Sequence, residues 1–271
     1  MFERRWFTQT IALLVVLIGM VGVAGAQKAA PGGACAAVPT HTALKTALDK
    51  AVADDKSGLN NHMWGTVVAR DGTVCAVAFS GQGMGTQWLG SRVISAQKAN
   101  TANLFSLDAS SNSSGSGQAK GLALSTANLY SAVQPGGSLY GLQFSNPVDT
   151  GMGYKGPSAA YGTAKDPMVG GKIGGVNVFG GGLGLYAAGG KLVGAVGLSG
   201  DTSCADHMMA WLVRKNLNLD HLANVGGISG DNQRPDNIVY DIDSSGKSAG
   251  GFGHPKCINT SEPGTLPAVQ Q

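Results

Sequence analysis

The sequence is poor in charge and in aromatic residues. Of its 271 residues, 13% are charged and 6% are aromatic, and the charged share is about half of what soluble domains usually carry. The formal net charge of +3 is too small to indicate a nucleic-acid-binding surface. No Gly-X-Y repeat accompanies the 43 glycines, which excludes collagen, and a hydrophobic share of 43% excludes a charged disordered tail or a coiled coil.

Spacings typical of metal or catalytic sites are missing as well. No cysteines form Cys-x-x-Cys, and no histidines form His-x-His or His-x-x-x-His. Ser95–Lys98 has Ser-x-x-Lys spacing without the further motifs of penicillin-binding enzymes. Residues 241–246 begin like a calcium loop, but Phe252 stands where the closing glutamate is needed. Without a visible nucleophile–base pair, the sequence favours a binding protein and leaves enzymatic activity uncertain.

The N-terminus has the pattern of an export signal. Arg4 and Arg5 precede an apolar run over residues 11–23, and Ala24–Ala26 supplies a small-x-small cleavage site. The run is shorter than the about 20 residues that span a bilayer. We therefore predict a signal peptide over residues 1–26, and a periplasmic or secreted protein without a membrane span. The arginine pair resembles a twin-arginine signal, although its surroundings favour general secretion, and an uncleaved anchor is the alternative.

Four cysteines remain after the predicted cleavage: Cys35, Cys75, Cys204 and Cys257. In an oxidising compartment an even number favours two disulfides, and four cysteines allow three connectivities. Proximity in sequence favours Cys35 with Cys75 and Cys204 with Cys257. The alternative is that one pair remains as buried thiols.

Hydrophobic periodicity and turn residues predict four helices and two hairpins. The predicted helices cover residues 41–57, 91–107, 125–133 and 202–216. Asp71-Gly72 separates two β-rich runs and is a strong hairpin signal. The predicted strands are residues 64–70 with 73–79, and residues 174–186 with 191–199, so that Gly180–Gly184 lies inside a strand.

Hairpins divided by helices predict an α+β domain, with helices packed on an antiparallel sheet. This single domain is predicted over residues 41–216, after a leader at 27–40. Residues 138–175 are irregular in pattern, and so long a loop is either functional or a subunit contact. Residues 217–271 are predicted to be an irregular C-terminal extension.

Four segments resemble the GlcG/HbpS-like family, which is also known as domain of unknown function 336. The segments are Gly90–Phe105, Gln134–Gly137, Gly174–Gly182 and Gly189–Asp201. The resemblance covers roughly residues 41–216 and implies a profilin-like fold, a protein of haem-binding type and assembly into a homo-oligomer. The long loop, a Ser/Gly tract at 110–117 and the tail with its cysteine are departures, so the chain resembles an exported, disulfide-bearing branch.

The resemblance makes haem, or a similar flat tetrapyrrole, the predicted ligand on a Gly-rich sheet surface. The predicted site residues are His207, His62, Arg92, Lys98, Asn177, Gly181 and Gly182. His207 is the first choice as axial iron ligand and His62 the second, whereas Arg92 or Lys98 would face the propionates. Glycines in a strand let a flat ligand or another backbone approach closely.

Other interpretations of the same residues stay open at this point. His207 is also typical of a plain surface histidine, and Arg92 and Lys98 of a solvated helix face. Four aromatic residues could line a pocket or pack in the core: Tyr130, Tyr140, Phe144 and Phe179. An enzyme acting on a small carboxylate or on haem would depend on His207, Asp206 or Lys98. A ligand-free structural module within an oligomer is the third function.

Overall fold

The computed structural model describes residues 33–111 and 121–271. The predicted signal peptide and most of the Ser/Gly tract lie outside these residues. Within the two ranges, no helix combines the length and the apolar composition needed to cross a membrane.

Three long helices carry most of the helical structure, and each begins near its predicted start. They are α1 (His41–Asp54), α2 (Ser91–Phe105) and, later in the chain, α5 (Ser203–Asn216). Thr40 and Thr202 cap α1 and α5, because their hydroxyls accept hydrogen bonds from backbone N–H groups of the first turn. The long loop holds two short helices, α3 (Leu142–Ser145) and α4 (Thr150–Gly153).

The main sheet consists of β1 (Trp64–Ala69), β2 (Val74–Phe79), β4 (Gly182–Ala187) and β5 (Lys191–Ser199). The strands lie in the order β2-β1-β5-β4, and all neighbouring strands are antiparallel. A separate parallel ribbon joins β3 (Leu122–Ala123) to β6 (Gly226–Gly227). The β1–β2 and β4–β5 hairpins confirm the two predicted turns.

Helices cover both faces of the sheet. Helix α2 packs on one face, where Gly197 allows a close approach: a Cβ there would lie 2.0 Å from the Ser95 carbonyl oxygen. Helices α1 and α5 pack on the other face, with Leu48 and Met209 in a core that also contains Val196. The predicted α+β class is confirmed.

The C-terminal tail contributes to that same core. Leu222, Val225 and Ile238 are buried in it, and so are Leu266 and Val269 near the end of the chain. The tail is mostly irregular, yet its apolar side chains pack as those of a regular element would.

Both predicted disulfides are confirmed. Cys35 and Cys75 join the segment before α1 to β2, with Cα atoms 5.5 Å apart. Cys204 and Cys257 join the first turn of α5 to the tail, with Cα atoms 5.9 Å apart.

Two predictions of local structure are wrong. Residues 125–133 form two short 3-10 helices, Thr126–Leu129 and Ser131–Val133, and not one α-helix. The first strand of the second hairpin begins at Gly182, so Gly180 and Gly181 lie before it. Gly174, Gly175 and Gly181 have positive φ angles, which an extended strand does not use and which glycine adopts at little cost.

Candidate functional site

His207 is buried in the interior of the protein. Its side chain is fully inaccessible, so its interpretation as a plain surface histidine is wrong. Nε2 lies 3.2 Å from both the Asn237 side-chain oxygen and the Ile238 backbone nitrogen, whereas Nδ1 has no hydrogen-bond partner in the described part of the chain. Burial lowers the pKa of His207 to about 4, because desolvation disfavours the imidazolium. The ring is therefore neutral near pH 7, and the tail covers it.

Lys98 forms a buried ion pair with Asp206. Its Nζ lies 2.6 Å from the Asp206 carboxylate and donates to the Leu198 carbonyl at 3.0 Å, and neither side chain of the pair is exposed. Backbone N–H groups of Gly200 and Asp201 donate to the other carboxylate oxygen. Burial raises the pKa of Asp206 to about 6 and lowers that of Lys98. A solvated face for Lys98 is therefore wrong, and its charge is already paired.

Arg92 is paired in the same manner, with a residue of the long loop. Its guanidinium makes two hydrogen bonds to Asp166, one of them from Nε at 2.9 Å, and a third to the Gly153 carbonyl at 2.6 Å. It also stacks on the Tyr161 ring at 3.6 Å. Because Arg92 is only 2% exposed, its interpretation as part of a solvated face is wrong too. Arg92 anchors the loop.

The glycines before and within β4 pack against the protein's own backbone. A Cβ on Gly180 would lie 2.2 Å from the Ser203 carbonyl oxygen, one on Gly181 2.3 Å from that of Leu198, and one on Gly182 2.5 Å from that of Lys98. Asn177 lies nearby, partly buried, with its backbone N–H bonded to Thr101. The protein's own backbone thus occupies the space beside these glycines, where the predicted flat ligand would lie.

His62 lies elsewhere, in an open groove of about 650 Å³ beside α1 and the end of β2. We call it the His62 groove. Its lining residues are Lys45, Asp49, Val52, Ala53, Lys56, His62, Phe79, Ser80, Gly81 and Gln82. The structure therefore separates His62 from the other predicted site residues.

The His62 imidazole is oriented by a hydrogen bond at one nitrogen only. Nδ1 lies 3.1 Å from the Ser80 hydroxyl, which also accepts a hydrogen bond from the Met63 backbone N–H at 2.9 Å. Nε2 has no hydrogen-bond partner in residues 33–111 and 121–271. With the ring proton on Nδ1 and donated to Ser80, the Nε2 lone pair can bind a metal. Histidine ligands in proteins are commonly held in this way.

His62 differs from the other four histidines in its exposure. It is exposed, whereas His207 and His254 are buried and His41 and His221 are partly buried. His41 is already bonded to the Gly162 carbonyl at 2.9 Å. His62 is therefore the histidine that a large ligand reaches most easily.

The His62 groove combines apolar and cationic groups. Val52 and Phe79 supply apolar surface, and Phe79 is held by edge-to-face packing on Trp64 at 5.2 Å between ring centroids. The Lys45 ammonium pairs with Asp49 at 2.6 Å, and Lys56 donates to the Val52 carbonyl at 3.0 Å. Both amines are at the surface, so they can turn toward an anionic ligand. No motif in the sequence marks these lysines or Ser80.

Cys204, Cys257 and His254 also lie close together, as the ligands of a metal ion would. The two sulfurs are bonded to each other. With the disulfide intact, His254 is the one remaining ligand, and this cluster is not a metal centre.

The chain belongs to the HbpS-like family. The family model, described as "Haem degrading protein HbpS-like", matches residues 40–213. The match covers all four main strands, α1, α2 and most of α5, within which it ends. The family predicted from the four sequence segments is confirmed. No curated protein matches the chain.

Solved structures similar to this one include Klebsiella pneumoniae protein ORFY, of family DUF336, with 25% identity and a TM-score of 0.40 over 66% of this chain and 90% of that one. The haem complex of PduOC has 21% identity and a TM-score of 0.41, and covers 65% and 89%. A double mutant of Streptomyces reticuli HbpS has 18% identity and a TM-score of 0.37, and covers 71% and 97%.

Proposed function

We propose that this protein binds haem, or a similar flat tetrapyrrole, in the His62 groove. Membership of the HbpS-like family supports a haem ligand. The observation that carries the location is the exposed His62 ring, whose Nδ1 is occupied by Ser80 and whose Nε2 faces no protein partner. The proposal keeps the predicted ligand and moves the site from the Gly-rich sheet surface to the groove.

The residues of the groove fit the parts of such a ligand. His62 Nε2 would bind the iron, Phe79 and Val52 would pack against the macrocycle, and Lys45 and Lys56 would face the propionates. The volume of about 650 Å³ lies within the range of small-molecule sites, roughly 300–1,000 Å³. Bound haem would supply an iron centre whose electronics depend on the axial ligand. Ser80 would hold the imidazole orientation and make Nε2 more basic.

Export and assembly belong to the same proposal. We propose that residues 1–26 direct the protein to the periplasm or the outside of the cell, where it meets its ligand as a homo-oligomer. The two disulfides support this compartment, because such bonds persist in oxidising surroundings.

A haemin titration of the protein purified from an exporting host tests the site. We expect a saturable Soret band, lost in His62→Ala and preserved in the control His221→Ala. Ser80→Ala should weaken binding by about 10-fold or more, because orientation of the ligand ring is lost. A Soret band unchanged in His62→Ala would reject the groove, and no band in the native protein would favour a ligand-free structural module.

A further inference from the structure

A second serine–histidine contact, unrelated to the His62 groove, joins α5 to the tail. We propose that Ser203 is a nucleophile activated by His254. The pair would hydrolyse small carboxylic esters whose acyl carbon can reach the partly exposed Ser203 hydroxyl. Neither residue belongs to the proposed haem site, so this activity stands or falls separately from haem binding.

The hydrogen bonds at Ser203 and His254 run in one direction. His254 Nδ1 lies 2.7 Å from the Pro255 carbonyl oxygen, which can only accept, so Nδ1 carries the ring proton. Nε2 is then an acceptor, and the Ser203 hydroxyl, at 2.6 Å, donates to it. A nucleophile, a base and a group that orients the base are thus in line, as in catalytic triads. The carbonyl of Pro255 stands where those triads have a carboxylate.

The surroundings hold His254 as a neutral base. It is only 2% exposed, and its ring packs on that of Tyr130 with centroids 4.8 Å apart. Burial lowers the pKa of His254, and the charge of Lys98 acts in the same direction. Near pH 7 the imidazole is therefore ready to accept a proton.

Ser203 retains contact with solvent and has hydrogen-bond donors around it. It is the first residue of α5 and is partly exposed. The Gly180 backbone N–H donates to its Oγ at 2.6 Å and would stabilise developing negative charge on that oxygen. Its own backbone N–H, in the first turn of the helix, has no partner in the described ranges and is available to an oxyanion.

The Cys204–Cys257 disulfide fixes this geometry covalently. Cys204 follows Ser203 directly, and Cys257 lies three residues after His254, so the bond ties both sides of the pair together. The Ser131 hydroxyl adds a hydrogen bond to the Gly253 carbonyl at 2.7 Å, on the other side of His254. The histidine therefore stays beside the serine although the two are 51 positions apart in the sequence.

The reaction balances with water as the only co-reactant. Ser203 Oγ bonds to the acyl carbon while its proton passes to His254 Nε2, and the carbonyl oxygen becomes an oxyanion facing the Ser203 N–H. The C–O bond to the alcohol breaks, and the alcohol leaves with the proton from Nε2. Water then gives a proton to Nε2 and attacks the acyl carbon. The bond from that carbon to Ser203 Oγ breaks, the proton on Nε2 returns to Oγ, and the carboxylic acid leaves.

Labelling with a short-chain fluorophosphonate tests the nucleophile directly, because its phosphorus bonds to an activated serine oxygen and fluoride leaves. In the full protein we expect one label per chain, mapped to Ser203 by mass spectrometry and absent in Ser203→Ala. His254→Gln should lower the labelling rate by about 100-fold or more, the contribution of a general base. The matched control is Ser245→Ala, an exposed serine of the tail whose hydroxyl donates to Asp243, and it should label at the native rate.

The labelling rate of the native protein, measured against pH, tests the proposal without a variant that has to fold. Base assistance predicts a rate that rises to a plateau once His254 is neutral, whereas an unassisted hydroxyl reacts faster with every unit of pH. A label elsewhere than Ser203, an equal rate in folded His254→Gln, or a rate without a plateau would overturn the proposal. Haemin binding by the same samples reports separately on the groove.

Discussion

Two histidines of this protein, His62 and His207, lie in opposite environments. His62 is exposed, with one nitrogen bonded to Ser80 and the other open to the groove. His207 is buried beneath the tail, with a pKa lowered to about 4. The first is suited to binding a ligand, whereas the second is kept neutral and contributes to packing.

The difference shows that the segments recognised from the sequence and the residues accessible to a ligand lie in different parts of the protein. The segments that resemble the family hold α2, β5 and the glycines that lead into β4. The charged side chains of α2 pair in the interior, Lys98 with Asp206 and Arg92 with Asp166. The groove is built from α1 and the residues around His62, which carry no motif. The four segments therefore mark residues that the fold needs, whereas exposure marks those that can meet a partner.

Removing a buried charge from the interior should have the largest effect on stability. Lys98→Met leaves the Asp206 carboxylate buried without its cation, and we expect a loss of about 3–5 kcal/mol in the free energy of unfolding. Lys50→Met, which removes an exposed i,i+4 pair with Asp54, should cost at most about 1 kcal/mol. Urea denaturation measures both. Equal losses would mean that the Lys98 pair contributes no more than a surface contact.

The next largest effect is expected when the pH is lowered, because the free energy of unfolding should depend on His207 and not on His62. The pKa of His207 is about 4 in the folded protein and near 6.5 when unfolded. The unfolded chain thus binds the proton first, so stability falls as the pH drops from about 6.5 toward 4. The loss reaches about 3 kcal/mol at 1.36 kcal/mol per pH unit.

The raised pKa of Asp206 acts in the opposite direction below pH 6, so variants must be compared. Stability measured against pH should lose the His207 contribution in His207→Leu and keep it in His62→Ala, since His62 is exposed. Parallel curves for native protein and His207→Leu would contradict the burial of a neutral ring.

The smallest effect is expected from the cations of the groove. Lys45→Met and Lys56→Met should each change stability by less than about 1 kcal/mol, because both amines are at the surface. Their effect should appear in haemin affinity, as a loss of a few-fold that shrinks at high salt. Unchanged affinity in the double variant would remove the lysines from the propionate site while leaving His62 as a ligand.

Much of the fold was predictable because its signals are local. Periodicity and turn residues placed the three long helices, Asp71-Gly72 placed the first hairpin, and proximity in sequence gave both disulfide pairs. His62 was predicted as a ligand, but as the second choice. The burial of Lys98 was not predictable in this way, because its partner Asp206 lies 108 residues away.

The same holds for the groove and for His254. A serine such as Ser80 becomes a partner of His62 only when the β1–β2 hairpin closes. His254 stands in a segment without periodicity, and its contact with Ser203 depends on a tail whose course no pattern specifies. These positions depend on contacts between residues that are distant in the sequence, and no local pattern specifies such contacts.

The Arg214–Asp236 ion pair, buried like the Lys98 pair, has a consequence for the extent of the folding unit. Its guanidinium donates to the carboxylate at 2.6 and 2.9 Å, and neither side chain is exposed. The family match ends at residue 213, next to this arginine. A chain shortened to the matched residues would therefore expose the core side chains that the tail covers, and it would lose one cysteine of each disulfide, Cys35 and Cys257. What family comparison delimits as the shared domain is smaller than what must fold together in this protein.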